Sequence, residues 1–154
     1  MIQHYIHLCR DYLKNEDWLR LEDLSLCYLD AVGTDIQRSD AWYLLGCAMM
    51  EQANYVAAEK YFSQIIDLGD RADQIKLGWS HSEFTRLRSK TGDVQHAVYH
   101  FEECLRVLEE CGDKKEIASA GVNGVRALFE NKFFDCSFLH LLFDYNVFIA
   151  GCSI

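Results

Sequence analysis

The chain has 154 residues, half of them hydrophobic and 25% charged, with a formal net charge of −9 and no proline. That composition excludes a disordered polymer. The acidic balance, with no cationic run longer than RLRSK at 86–90, argues against nucleic acid as a direct partner, because phosphate recognition needs clustered positive charge.

In chain order, the apolar periodicity predicts helices over 2–14, 17–32, 39–52, 55–68, 73–90, 93–111, 114–130 and 133–147, without a segment of sustained strand alternation. With no proline, no helix interior is interrupted. Ser39 and Asp40 read as the cap of the third helix, and Gly33, Gly69 and Gly112 as helix-end residues. No linker is long enough to divide the chain, so 1–154 reads as a single all-α domain.

The helices fall into register with one another. Tyr5, Leu8, Cys9 and Tyr12, then Asp17, Trp18 and Leu21, form a first set. Trp42, Leu45, Gly46 and Met49, then Asn54, Tyr55, Ala58 and Phe62, form a second. His81, Phe84, Thr85 and Arg88, then Gly92, Asp93, Ala97 and Phe101, form a third. Ala120, Asn123, Gly124 and Ala127, then Asn131, Phe133 and Cys136, form a fainter fourth, and the steps between sets are 37, 39 and 39 residues. Small residues such as Gly46 and Ala58 let antiparallel helices approach, and Trp42, Leu45 and Phe62 fill the space around the contact.

The second set resembles a tetratricopeptide repeat, whose pattern is W-x2-L-G-x2-Y, A-x3-F, P. Trp42, Leu45, Gly46, Ala58 and Phe62 match it, whereas Met49 stands for the Tyr and Asp70 for the Pro. In the third set His81, Phe84, Thr85 and Arg88 depart from the first-helix pattern, and in the first Ser25 stands where a ring belongs. The resemblance implies an α-solenoid of antiparallel hairpins, with repeats near 2–35, 39–72 and 78–111 and a degenerate one over 117–147.

It also implies a concave groove lined by the first helix of each repeat. The positions carried over are Gln3, Ile6, Arg10 and Leu13; Asp40, Tyr43, Cys47 and Met50; Trp79, Ser82, Arg86 and Ser89; and, from the weak fourth, Ala118, Gly121, Val125 and Leu128. Of these, Ile6, Arg10, Leu13, Tyr43, Cys47, Met50, Trp79, Ser82 and Arg86 are the expected partner-binding residues. Some relatives of this kind clamp the carboxylates of chaperone tails with Lys, Asn and Arg. Here Ile6, Arg10, Leu44, Trp79 and Glu83 occupy those places, so chaperone tails are not the expected ligand. An apolar segment or amphipathic helix with an occasional acid suits the remaining surface.

No cofactor, metal or catalytic residue is expected. His96, His100 and Cys104 are spaced i, i+4 and i+8, as zinc ligands could be. The repeat frame, however, turns Cys104 inward and both histidines outward. Cys111 has no neighbouring base to activate it, and GVNG at 121–124 lies in a helical pattern rather than a phosphate loop. The seven cysteines contain no C-x-x-C and mostly occupy apolar helical positions. Together with the absence of a signal-peptide pattern at the first residues, this points to a reducing cytosol or nucleus.

The stretch FFDCSFLHLLFDYNVFIAGCSI at 133–154 leaves three readings open. It is a buried second helix of the fourth repeat, a surface covered by another subunit, or a terminus foreign to the mature fold. The function expected is a non-catalytic scaffold that binds a peptide or helix of another protein. One alternative is a structural subunit of a larger complex, similar in general terms to helical-repeat subunits of the anaphase-promoting complex or of the endoplasmic-reticulum membrane insertion complex. Another is a peptide-sensing regulator.

Overall fold

The computed structural model describes residues 2–130, so the helix expected over 133–147 lies outside the described residues. Among those residues there are seven α-helices and no strand: α1 (Ile2–Lys14), α2 (Trp18–Ala31), α3 (Asp35–Glu51), α4 (Tyr55–Leu68), α5 (Gln74–Thr91), α6 (Val94–Cys111) and α7 (Lys114–Glu130). A short 3-10 turn over Gly69–Arg71 follows α4. The described residues fall into two compact units, one up to residue 80 and one from residue 81, whose boundary falls inside α5.

The clearest sign of repetition is in the turns. At the end of α1 the N–H of Glu16 donates to the Leu13 carbonyl (3.3 Å) and that of Asp17 to Tyr12 (3.0 Å). After α3, Ala53 donates to Met50 (3.1 Å) and Asn54 to Met49 (2.9 Å); after α5, Gly92 donates to Ser89 (3.2 Å) and Asp93 to Arg88 (3.0 Å). Each turn is a Schellman closure, with its left-handed residue at Glu16 (φ 57°), Ala53 (φ 58°) or Gly92 (φ 79°). The residue that ends one helix also starts the next. Carboxylate or amide oxygens of Asp17, Asn54 and Asp93 accept from the N–H of Arg20, Ala57 and His96, each at 3.3 Å. These caps satisfy donors that every helix start would otherwise leave open.

The start of α3 differs from the sequence reading. The helix begins at Asp35, and Thr34 rather than Ser39 caps it, its Oγ1 accepting from Gln37 N–H at 3.2 Å. The Gln37 side chain accepts in return from the N–H of Gly33 at 3.3 Å, one residue ahead of the cap, a close variant of the capping box. Ser39 is buried. Its hydroxyl donates to the Ile36 carbonyl (2.7 Å) and accepts from Asp73 N–H (2.9 Å), joining α3 to the segment before α5.

In the first unit the second helices bury an i, i+4, i+7 stripe, as an amphipathic helix does. Leu21, Ser25 and Tyr28 on α2 have Ala58, Phe62 and Ile65 as their counterparts on α4, and all six are buried. Gly46 faces Phe62 so closely that a Cβ there would lie under 3.0 Å from three ring atoms. The first hairpin solves the same problem with opposite volumes. Cys9 stands for Gly46 and Ser25 for Phe62, and Sγ and Oγ meet at 3.8 Å. Around that contact Cys9, Leu21, Tyr28, Ala41, Leu44 and Ala48 form a core, and the Tyr5 and Tyr28 rings stack at 6.4 Å.

In the second unit Ala97, Phe101 and Cys104 repeat the stripe on α6. Phe101 and Leu105 pack with Leu128 of α7. Gly124 of α7 leaves room for the Phe101 ring, since a Cβ would again lie under 3.0 Å from two of its atoms. Asp113 Oδ1 accepts from Lys115 and Glu116 N–H (3.0 and 3.2 Å) at the start of α7. On the surface of α6, Arg106 pairs with Glu103 (2.9 Å) and Glu110 (2.8 Å).

Gly46→Ala is expected to lower stability by about 1–3 kcal/mol through overpacking against Phe62. Phe62→Leu in the same chain should return part of that loss, read from urea unfolding midpoints. In the turns, Ala53→Gly is expected to raise stability and Gly92→Ala to lower it, each by about 1 kcal/mol, because only glycine adopts the left-handed backbone without a Cβ penalty.

Candidate functional site

In the first unit the residues expected to face a partner divide by depth. On α1, Arg10 is exposed, whereas Ile6 and Leu13 are half-buried against the core around Cys9. On α3, Tyr43 and Cys47 are half-buried, but Met50 is only 4% exposed and belongs to the core. Trp79 on α5 is half-buried. Tyr43 packs its ring against Phe62, centroids 6.0 Å apart.

A polar cluster holds this face together. The Asp40 carboxylate acts on the Tyr28 phenol, and its Oδ1 lies 3.3 Å from Lys76 Nζ. Lys76 in turn sits over the Tyr43 ring, 5.0 Å from its centroid, a cation–π contact. Burial, then the Asp40 charge, pushes the Tyr28 phenol up to about 12. Sequence reasoning missed Lys76 because the repeat frame was opened at residue 78. Lys76 stands three residues before Trp79, close to one helical turn, and that spacing was the available signal.

In the second unit Ser82 is buried and Arg86 is half-buried, with Nε 3.2 Å from Glu83 Oε2. Ser82 thus contributes little surface, and the Arg86 guanidinium is already engaged by an acid on its own helix.

One of the two α6 histidines departs from the expected outward arrangement. His96 is exposed and bonds the Asp93 carboxylate through Nδ1 at 2.8 Å. His100 is not on the solvated face of α6. It is half-buried, with Nδ1 2.9 Å from His81 Nδ1 and its ring stacked on Phe84 at 4.7 Å. Cys104 is buried inward, and burial pushes its thiol up to about 12. Among the described residues no group of three or more His, Cys, Asp or Glu is placed to hold a metal ion. The correct side for His100 was legible from its counterparts Leu24 and Tyr61, both half-buried.

At the first turn an open cleft of about 710 Å³ is lined by Asn15, Glu16, Asp17, Trp18, Leu19 and Gln52. Of its lining residues Leu19 is 68% exposed; away from the cleft, Val56, the counterpart of Leu19 in the second hairpin, is 84% exposed. Among the described residues no helix is long and apolar enough to cross a membrane. Compared with models of known protein families, with curated proteins and with solved structures, the chain matches none.

Asp40→Ala is expected to cost about 1–3 kcal/mol, because it leaves the half-buried Lys76 ammonium without its acceptor and removes the carboxylate that acts on the buried Tyr28 phenol. Combining it with Tyr28→Phe should be less damaging than the sum of the two single changes. A double-mutant cycle on urea midpoints measures that coupling.

Proposed function

We propose that this protein is a non-catalytic interaction scaffold, an α-solenoid of tetratricopeptide-like hairpins whose first-helix face binds a peptide or amphipathic helix of another protein. The observation that carries the proposal is the repetition of one turn. Asp17, Asn54 and Asp93 close three helix pairs with the same hydrogen bonds, at steps of 37 and 39 residues. A hairpin of this kind cannot cover its own apolar faces, and stacking its copies does. Stacked hairpins bring their first helices side by side, which makes a continuous surface suited to an elongated ligand.

Within residues 1–80 that face carries exposed Arg10, half-buried Tyr43 and Cys47, and half-buried Trp79. Tyrosine, tryptophan and arginine are the side chains that most often anchor protein interfaces. Lys76 is neutralised by Asp40, so an acidic group on the ligand is matched to Arg10. The proposed partner segment therefore presents apolar anchors for Tyr43 and Trp79 and a carboxylate for Arg10.

A second reading is a structural subunit that assembles through outer surfaces. The observation in its favour is the matched exposure of Leu19 and Val56, two residues past the cap in successive hairpins.

The two readings separate in one experiment. Peptides selected by display on the purified protein are titrated against two variants. Tyr43→Ala with Arg10→Glu is expected to weaken them by about 30-fold or more, with helicity unchanged by circular dichroism. Leu19→Lys with Val56→Lys should leave them unaffected. The opposite pattern would replace the scaffold reading with the subunit reading.

A further inference from the structure

The third hairpin differs from the others at one place. Tyr5, Trp42 and His81 are equivalent positions on the first helices, and Leu24, Tyr61 and His100 are equivalent on the second. Where two hairpins hold carbon-rich side chains, the third holds two imidazoles. His81 is only 5% exposed. The two Nδ1 atoms are 2.9 Å apart, and the ring centroids 5.2 Å. Phe84 covers one side of His100. Two donors without a third are too few for a structural metal site, and none converges among the described residues.

We infer that His81 and His100 form a proton-operated latch between α5 and α6, closed while both rings are neutral and opened by acidification. A neutral imidazole has one N–H and one lone-pair nitrogen. At 2.9 Å one Nδ1 must donate and the other accept. Protonating the donor ring at Nε2 leaves that bond intact but places a charge in an apolar seam. Protonating the acceptor ring as well puts an N–H on both Nδ1 atoms, so two donors and two positive rings face each other.

The surroundings oppose the charge more than they help it. The charged groups acting on the pair among the described residues are Glu103, Arg106, Arg88 and His96. Glu103 favours protonation, but Arg106 already holds its carboxylate. Burial above all holds both imidazoles down, to about 4 in each case, from an ordinary value of 6.5. The unfolded chain therefore takes up more protons than the folded one as pH falls from about 6.5 to about 4, and stability is lost across that window. The same groups in solution would carry no such penalty, so the device is a property of this hairpin.

The test uses the full chain. In the wild type the two imidazoles, followed by NMR, are expected to titrate as a coupled pair well below 6.5. Replacing the pair by the second hairpin's residues, His81→Trp with His100→Tyr, should remove most of the stability loss between pH 6.5 and 4. The wild type is expected to lose at least about tenfold per ring more in its folded-to-unfolded ratio than this variant. His81→Gln with His100→Gln, which keeps a donor and an acceptor without titrating, should behave likewise. Rings titrating independently near 6.5, or either double variant keeping the wild-type pH dependence, would overturn the inference.

Discussion

Where the α3 backbone meets the Phe62 ring there is space for a hydrogen atom and nothing larger. That limit sets how near the two helices lie, and the rest of the hairpin is arranged around it. Ala58 and Ile65 complete the stripe beside Phe62, and Tyr43 covers its open side. Interiors packed to crystal-like density have no slack to absorb an added methyl. The first hairpin keeps the same proximity with Cys9 against Ser25, a mid-sized pair in place of an empty position and a ring. What changes between hairpins is how the bulk is shared across the contact: a ring against a bare backbone in one, two small polarisable side chains in the other.

The turns show the same priority of geometry over residue type. Glycine is the natural occupant of a left-handed helix end, yet only the third turn has it, and Glu16 and Ala53 adopt the conformation in the other two. A non-glycine residue there costs roughly 1–2 kcal/mol. Two closing hydrogen bonds and a side-chain cap at each turn offset this. The packing on either side fixes where each helix must end, and the turn residue conforms to it.

Much of this architecture was legible in the sequence. Among the described residues helix boundaries agree to within a residue except at α3, and of the aligned positions Cys9, Leu21, Leu45, Gly46, Ala58, Phe62, Phe84, Ala97 and Phe101 are buried, whereas Tyr5, Trp18 and Trp42 are half-buried and Tyr55 is exposed. The α3 start was misplaced because Thr34 and Ser39 both resemble caps. Gln37 decides between them, and its bond to Gly33 is visible only in three dimensions. The candidate face was less legible. Periodicity gives the direction of a side chain but not the height of its neighbours, so Met50 and Ser82 were assigned to a surface that adjacent residues cover. Lys76 illustrates the reverse: its role comes from Asp40 and Tyr43 on another helix. His100 was turned the wrong way because a polar residue on a helix is ordinarily solvated, and its partner His81 lies 19 positions away.

In the first unit each helix packs against the helix that precedes or follows it in the chain, α1 on α2, α2 on α3 and α3 on α4. Contacts of this kind close short loops, which is the topology that folds fastest. The lack of any proline also removes the isomerisation step that slows many chains by tens of seconds. Such a segment can acquire native structure one helix pair at a time as it leaves the ribosome, without waiting for residues far downstream.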